Sequence, residues 1–179
     1  SLDIIKIFAN IDPRIKFTHG PNKGIVASLN YLLNEAKGCF TARMDADDVN
    51  NPKRFERQIL FMKKNPSVIA LGSAFTLMDH SGLPFHNVFP PTQHKNIDAM
   101  QLQGHTSITR PTVMMRTTSL LEIGGYDPSL ELAEDLDLWL RLSEHGRLAN
   151  LRELLLYYRV HESSLSSSKH RLQVQQVTK

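Results

Sequence analysis

Met44-Asp45-Ala46-Asp47-Asp48 sets three carboxylates in four positions, where an apolar, strand-like run over residues 39–44 ends. In a strand, residues i and i+2 point to the same side, so Asp45 and Asp47 can share one target while Asp48 turns away or begins the next loop. Oxygen-only ligands of this kind suit Mg²⁺ or Mn²⁺ rather than zinc or copper, and Mg²⁺ commonly takes one or two carboxylates together with substrate phosphates. The same residues also fit an Asx-rich turn that leads, without any metal, into the helix begun by Asn51-Pro52.

Upstream of this cluster, Leu2, Ile4, Ile5 and Phe8 suggest a short helix, and residues 15–17 after Asp12-Pro13 suggest a strand. Asn22 can cap a helix with apolar positions Ile25, Leu29, Leu32, Leu33 and Ala36, ending at Gly38. Downstream, the pattern predicts a helix over 52–64 with Phe55, Ile59 and Met62 inward, a strand over 68–78 and a turn over 79–82. Residues 84–104 read as a loop around one short helix, 92–103. A strand over 111–116, a helix over 117–123 closed by Gly124, a helix over 133–144, a strand over 151–160 and a polar tail helix over 169–177 complete the order. Such alternation is the mark of an α/β fold, a mostly parallel mixed sheet flanked by helices. Ligands of these sheets sit beyond the carboxyl ends of the strands, which is where Asp45, Asp47 and Asp48 fall.

With 179 residues, 41% hydrophobic and 22% charged, the chain has the composition of a soluble globular protein of about one domain. Its net charge of +3 comes from 21 basic residues scattered among 18 acidic ones. That leaves no basic stripe for nucleic acid; anionic small molecules or a membrane surface fit better. The single cysteine, Cys39, excludes an internal disulfide, suits a reducing compartment, and is expected to pack in the core. A cytoplasmic protein is expected, with peripheral contact at the inner face of the plasma membrane as a further option.

A second acidic patch lies at Glu134, Asp135 and Asp137. At 100° per residue, Leu138, Trp139 and Leu142 share the face of Asp135, whereas Asp137 falls beside Arg141 as an ordinary i,i+4 surface pair. A carboxylate on an apolar helix face is costly unless it is paired or its pKa rises, and a raised pKa suits a general base. The plainer account of Glu134 and Asp135 is favourable placement of acids in a first helical turn. A metal-like site at a strand end and a base-like site on a helix together fit transfer of a group from a diphosphate donor to an acceptor hydroxyl.

The stretches 24–30 (GIVASLN) and 42–48 (ARMDADD), with Pro52, Arg54 and Gln58, resemble the first half of a bacterial family 2 glycosyltransferase of the GT-A fold. Further along, 111–116 (PTVMMR), Gly124-Gly125-Tyr126, 133–142 (AEDLDLWLRL) and Tyr158-Arg159-Val160-His161 resemble the same family in the same order. The resemblance implies an inverting enzyme that moves a sugar from a nucleotide diphosphate sugar, commonly UDP-linked, to a glycan or lipid-linked glycan in surface polysaccharide assembly. It places Asp45 at the nucleotide ribose or donor sugar, with Arg43 on the same side, and Asp47 at a Mn²⁺ or Mg²⁺ ion. Asp135 becomes the catalytic base and Glu134 a group that positions the acceptor, while His161 approaches the metal or diphosphate. Trp139 fits either stacking on an acceptor sugar or a place in the core. Arg110 stands where many members of the family have histidine, and could contact phosphate or acceptor. Members usually begin with a strand and a loop that hold the nucleotide base, and nothing here resembles them, so an N-terminally truncated domain over 1–162 and a tail over 163–179 are expected. The alternatives are a non-catalytic nucleotide- or sugar-binding module, an inactive fragment, and a sugar nucleotidyltransferase.

Overall fold

In the computed structural model, residues 2–131 and 133–160 are described. The helices are α1 Leu2–Ile11, α2 Ile25–Glu35, α3 Arg54–Lys64, α4 His94–Gln101, α5 Thr117–Glu122 and α6 Glu134–His145. The strands are β1 Phe40–Ala42, β2 Val49–Asn50, β3 Val68–Met78, β4 Pro84–Val88, β5 Met114–Arg116 and β6 Arg147–Arg159. A 3₁₀ turn, Arg110–Thr112, leads into β5.

The near-continuous apolar run Val68–Met78 forms β3, buried along almost its whole length as a two-sided central strand should be. β6 lies parallel beside it, from Val68 opposite Arg147 to Met78 opposite Arg159. The other edge of β3 is shared: β5 pairs with Ala70 and Leu71, and β4 pairs further along with the stretch from Phe75 to Met78. The sheet order is β1-β5-β3-β6-β2, with β4 joined to β3.

The sheet is mixed and covered by helices, but the expectation that it is mostly parallel is corrected. Among the described pairings only β3 with β6 is parallel. β5 runs backwards between β1 and β3, so those two strands point the same way without touching. Helix–strand alternation reveals that strands recur, not that one of them is inserted in reverse.

Apolar residues collect on both faces of the sheet. On one, α2, α4, α5 and α6 contribute Val26, Leu33, Ile97, Leu120, Leu138, Trp139 and Leu142. On the other, Met62 of α3 packs with Val68, Leu71, Met114 and Ala149. Met114 and Met115 of β5 serve opposite faces, as the two-residue period of a strand requires.

Four local expectations are also corrected. Residues 15–17 form no strand. Cys39 is exposed, because β1 starts one residue later and the cysteine precedes the packed segment. Phe55 is 50% exposed, and the inward face of α3 is made by Arg54, Gln58 and Met62. β4, inside the stretch read as loop, completes a hairpin with β3 around the turn at Asp79. The tail helix expected over 169–177 lies outside the described residues, and among those described no helix is long and apolar enough to cross a membrane.

Candidate functional site

The acidic loop leaves the carboxyl end of β1 and is closed by its own backbone, the Asp48 N–H donating to the Asp45 carbonyl at 3.4 Å. Its three carboxylates have different surroundings. Asp45 is partly exposed, Asp47 exposed and Asp48 buried. Asp48 Oδ1 accepts from the Arg159 backbone N–H at 2.8 Å, at the far end of β6. The Arg159 side chain completes the anchorage: Nε donates to the Asp47 carbonyl at 2.8 Å, and the guanidinium also reaches the carbonyls of Asp79 and His80. The loop is thereby fixed to the end of the parallel pair.

Burial pushes the Asp48 carboxyl up to about 6, with nearby Asp47 and Asp45 adding to the rise and the Arg159 N–H opposing it. Among the described residues, its Oδ2 has no hydrogen-bond partner. A carboxyl raised on folding stays protonated in the folded state while the unfolded chain ionises. Stability from Asp48 is therefore full below about pH 4 and falls as pH rises from there to about 6. Asp48→Asn removes this penalty, keeps an acceptor for Arg159, and is expected to raise stability at pH 7.5 by about 1–3 kcal/mol with no gain at pH 4. Urea denaturation at the two pH values, in the presence of a chelator, checks this; an equal effect at both excludes titration of Asp48 as the cause.

The second acidic patch meets the first through two arginines. Glu134, at the start of α6, is only 2% exposed, and its Oε1 accepts from Arg110 at 3.1 Å and faces Arg43 at 3.9 Å. Arg43 faces Asp45 at 3.6 Å, and Arg110 faces Asp135 at 3.8 Å. Opposite charges thus alternate from Asp45 through Arg43, Glu134 and Arg110 to Asp135. Burial raises the Glu134 carboxyl, aided by Asp135 and opposed by Arg110. For Arg110 burial works downward, but Asp135, Glu134 and Asp45 outweigh it and hold the guanidinium above its ordinary value. Tyr126 stands at the same junction, its hydroxyl raised by burial and drawn back by the charge of Arg43.

Glu134 is the more deeply buried of the two acids, where the helical wheel favoured Asp135. The wheel places both on the apolar side of α6, and the arginines that decide between them come from distant segments. Asp135 instead borders a cavity of about 330 Å³ between β3, β4, β6 and the segment before β5. Phe75, Leu77 and Tyr158 form its apolar wall, while Thr106, Thr109 and Arg110 add polar groups. Trp139 does not line it. At 1% exposure the indole belongs to the core, so no face is free for a sugar. His161 lies outside the described residues.

Among the described residues, no three His, Cys, Asp or Glu side chains gather into a metal cage. The donors present do fit a hard cation that takes one or two carboxylates and completes its shell with phosphate oxygens and water. Asp47 and Asp45, on an accessible loop and offering only oxygen, would hold such an ion.

Two contributors escaped the sequence reading of the site. Arg159 was quoted only as part of a motif, although a charged residue ending an apolar strand is itself a signal. Thr106 and Thr109 sit in a stretch with no periodicity, and no pattern singled them out.

The family model for glycosyl transferase family 2 matches residues 1–124. The O-antigen biosynthesis glycosyltransferase WbnJ of Escherichia coli is 31% identical over 92% of this chain and 64% of its own length. The amylovoran biosynthesis glycosyltransferase AmsE of Erwinia amylovora is 29% identical over 85% of this chain and 56% of its own. Among solved structures, Staphylococcus aureus TarS 1–349 in complex with UDP-GlcNAc superposes with a TM-score of 0.71 at 20% identity, over 93% of this chain and 48% of that 1–349 chain. The mannosyltransferase PcManGT from Pyrobaculum calidifontis, in complex with GDP-Man and Mn²⁺, gives 0.61 at 13% identity, over 98% of this chain and 48% of its own. These structures share the GT-A fold with the chain, which spans little more than half the length of its curated relatives. An acidic loop at a strand end, tied through paired arginines to carboxylates at the start of a helix, is carried here by a chain that belongs to glycosyl transferase family 2.

Proposed function

We propose that the protein carrying this chain is a metal-dependent, inverting glycosyltransferase that moves a sugar from a UDP-sugar to a glycan hydroxyl in surface polysaccharide synthesis. The observation that supports it best is the charge ladder between Asp45 and Asp135, which joins a donor-side loop to an acid bordering a cavity. Asp45 and Arg43 hold the donor. The acceptor lies in the cavity beside Phe75 and Tyr158, and Asp135 takes the proton of its hydroxyl as the oxygen attacks the anomeric carbon. Attack from the side opposite the diphosphate inverts that carbon. A divalent cation held by Asp47 would neutralise charge on the departing diphosphate. Arg110 and Glu134 keep Asp135 oriented toward the acceptor.

Titration of UDP with and without Mn²⁺ tests the donor half. Metal-dependent binding is expected, weakened at least about tenfold in Asp47→Ala and kept in Asp135→Ala, since removing a charged ligand partner costs over about 1.4 kcal/mol. Equal binding with and without the cation would sink the metal assignment. Binding in the absence of any transfer would favour a nucleotide-binding module instead.

A further inference from the structure

Arg54 and Gln58 are the most deeply buried polar side chains of α3, at 1% and 0% exposure, and the reaction described above uses neither. Every hydrogen bond given by the Arg54 guanidinium ends on an amide oxygen. Nη2 donates to the carbonyls of Arg43 at 2.9 Å and Val113 at 3.1 Å, Nη1 to Asn50 Oδ1 at 2.6 Å, and Nε to Gln58 Oε1 at 3.1 Å. Gln58 Nε2 extends the set to the carbonyls of Leu71 at 3.0 Å and Thr112 at 2.8 Å.

Arg43 and Asn50 are the two ends of the acidic loop. Thr112 and Val113 end the 3₁₀ turn that begins with Arg110, the partner of Glu134 and Asp135. One planar fork therefore closes the mouth of the donor loop and ties it to the turn that carries the acceptor-side arginine. Packing alone does not call for this arrangement, because an apolar side chain of similar volume fills such a space without burying a charge.

We infer that Arg54, with Gln58, is a positioning pair that sets the spacing between the donor loop and the Arg110–Asp135 side of the site. The inference rests on the transferase reading above. If the spacing slips, a donor still bound to the loop loses its alignment with the acceptor oxygen, while water, needing no such alignment, still reaches the anomeric carbon. The ratio of donor hydrolysis to sugar transfer therefore rises. That ratio does not depend on how much of the enzyme is folded, so a merely structural residue leaves it unchanged.

The test uses Arg54→Lys, because an ammonium carries the charge but cannot span the fork. Asn50→Ala serves as a second variant that removes one loop-end acceptor without touching the core, and Arg57→Ala, on the exposed face of the same helix, is the control. In the full-length protein, Arg54→Lys is expected to lower transfer about tenfold or more and to raise the hydrolysis-to-transfer ratio about threefold or more. Asn50→Ala is expected to shift the ratio in the same direction, and Arg57→Ala to leave it alone. Amide hydrogen exchange supplies a readout independent of activity: in Arg54→Lys, residues 43–50 and 110–113 quicken together while β3 and β6 keep their protection. An unchanged ratio in both variants, or exchange that quickens evenly across the sheet, overturns the inference and leaves Arg54 a stability residue. If the unaltered protein transfers no sugar, the transferase reading fails by itself, and the exchange pattern still decides whether Arg54 ties the two segments.

Discussion

Asp135→Asn is expected to lower sugar transfer by about a thousandfold while leaving donor affinity within about twofold of the unaltered protein, since general base catalysis contributes about 10²–10⁴ to rate. Asparagine matches the shape of the carboxylate but cannot take a proton. Arg110 would still be held by Glu134 at 3.1 Å, so the ladder loses only its last member and the donor-side contacts stay in place. Turnover at saturating substrate, measured beside a UDP titration, separates the two effects. A variant that transfers normally would remove Asp135 from the chemistry. A variant that loses donor binding as well would make it part of the donor site. Glu134 is the natural comparison: as the more buried acid, with an arginine on either side, it is a structural centre whose loss should disturb both ends of the ladder.

The largest effect on stability is expected at Trp139. The indole sits at 1% exposure among Leu138, Leu142 and the other members of the main cluster, and truncation to alanine should cost about 3–5 kcal/mol. Against a total of about 5–15 kcal/mol for a typical domain, this is a large share. Trp139→Phe should cost less than about 1.5 kcal/mol, because the indole Nε1 has no hydrogen-bond partner among the described residues and most of the volume is kept. Urea denaturation of the two variants checks the order. Were Trp139 instead a platform for the acceptor, alanine would raise the acceptor KM and leave the denaturation midpoint where it was.

The parts of the fold legible in the sequence were those where one chain segment decides its own state. β3 appears over the predicted residues because eleven largely apolar positions leave a buried strand few alternatives, and α6 begins one residue from its predicted start. β4 was not legible: Pro84, His86 and Asn87 carry no strand pattern, and the hairpin depends on pairing with β3. The inward face of α3 was misread because apolar spacing picked out Phe55, whereas the carbonyls waiting for Arg54 and Gln58 belong to segments far away in sequence. At the candidate site, Asp45, Asp47 and Asp135 were visible in the sequence as members of two acidic patches. The division of labour among neighbouring acids was not. Asp48 and Glu134 are buried because of Arg159, Arg43 and Arg110, and no local pattern encodes those meetings.

The bond between Asp48 and the Arg159 backbone spans 111 residues, and the arginine side chain reaches back to the Asp47 carbonyl across 112. Closing so long a loop costs entropy that only the later pairing of β3 with β6 can offset, and contacts of high sequence separation slow folding. On the ribosome, the acidic loop emerges long before the strand that organises it. The loop therefore takes its final shape only once β6 has been made, after α6 and the Arg110 turn that face it are already in the chain.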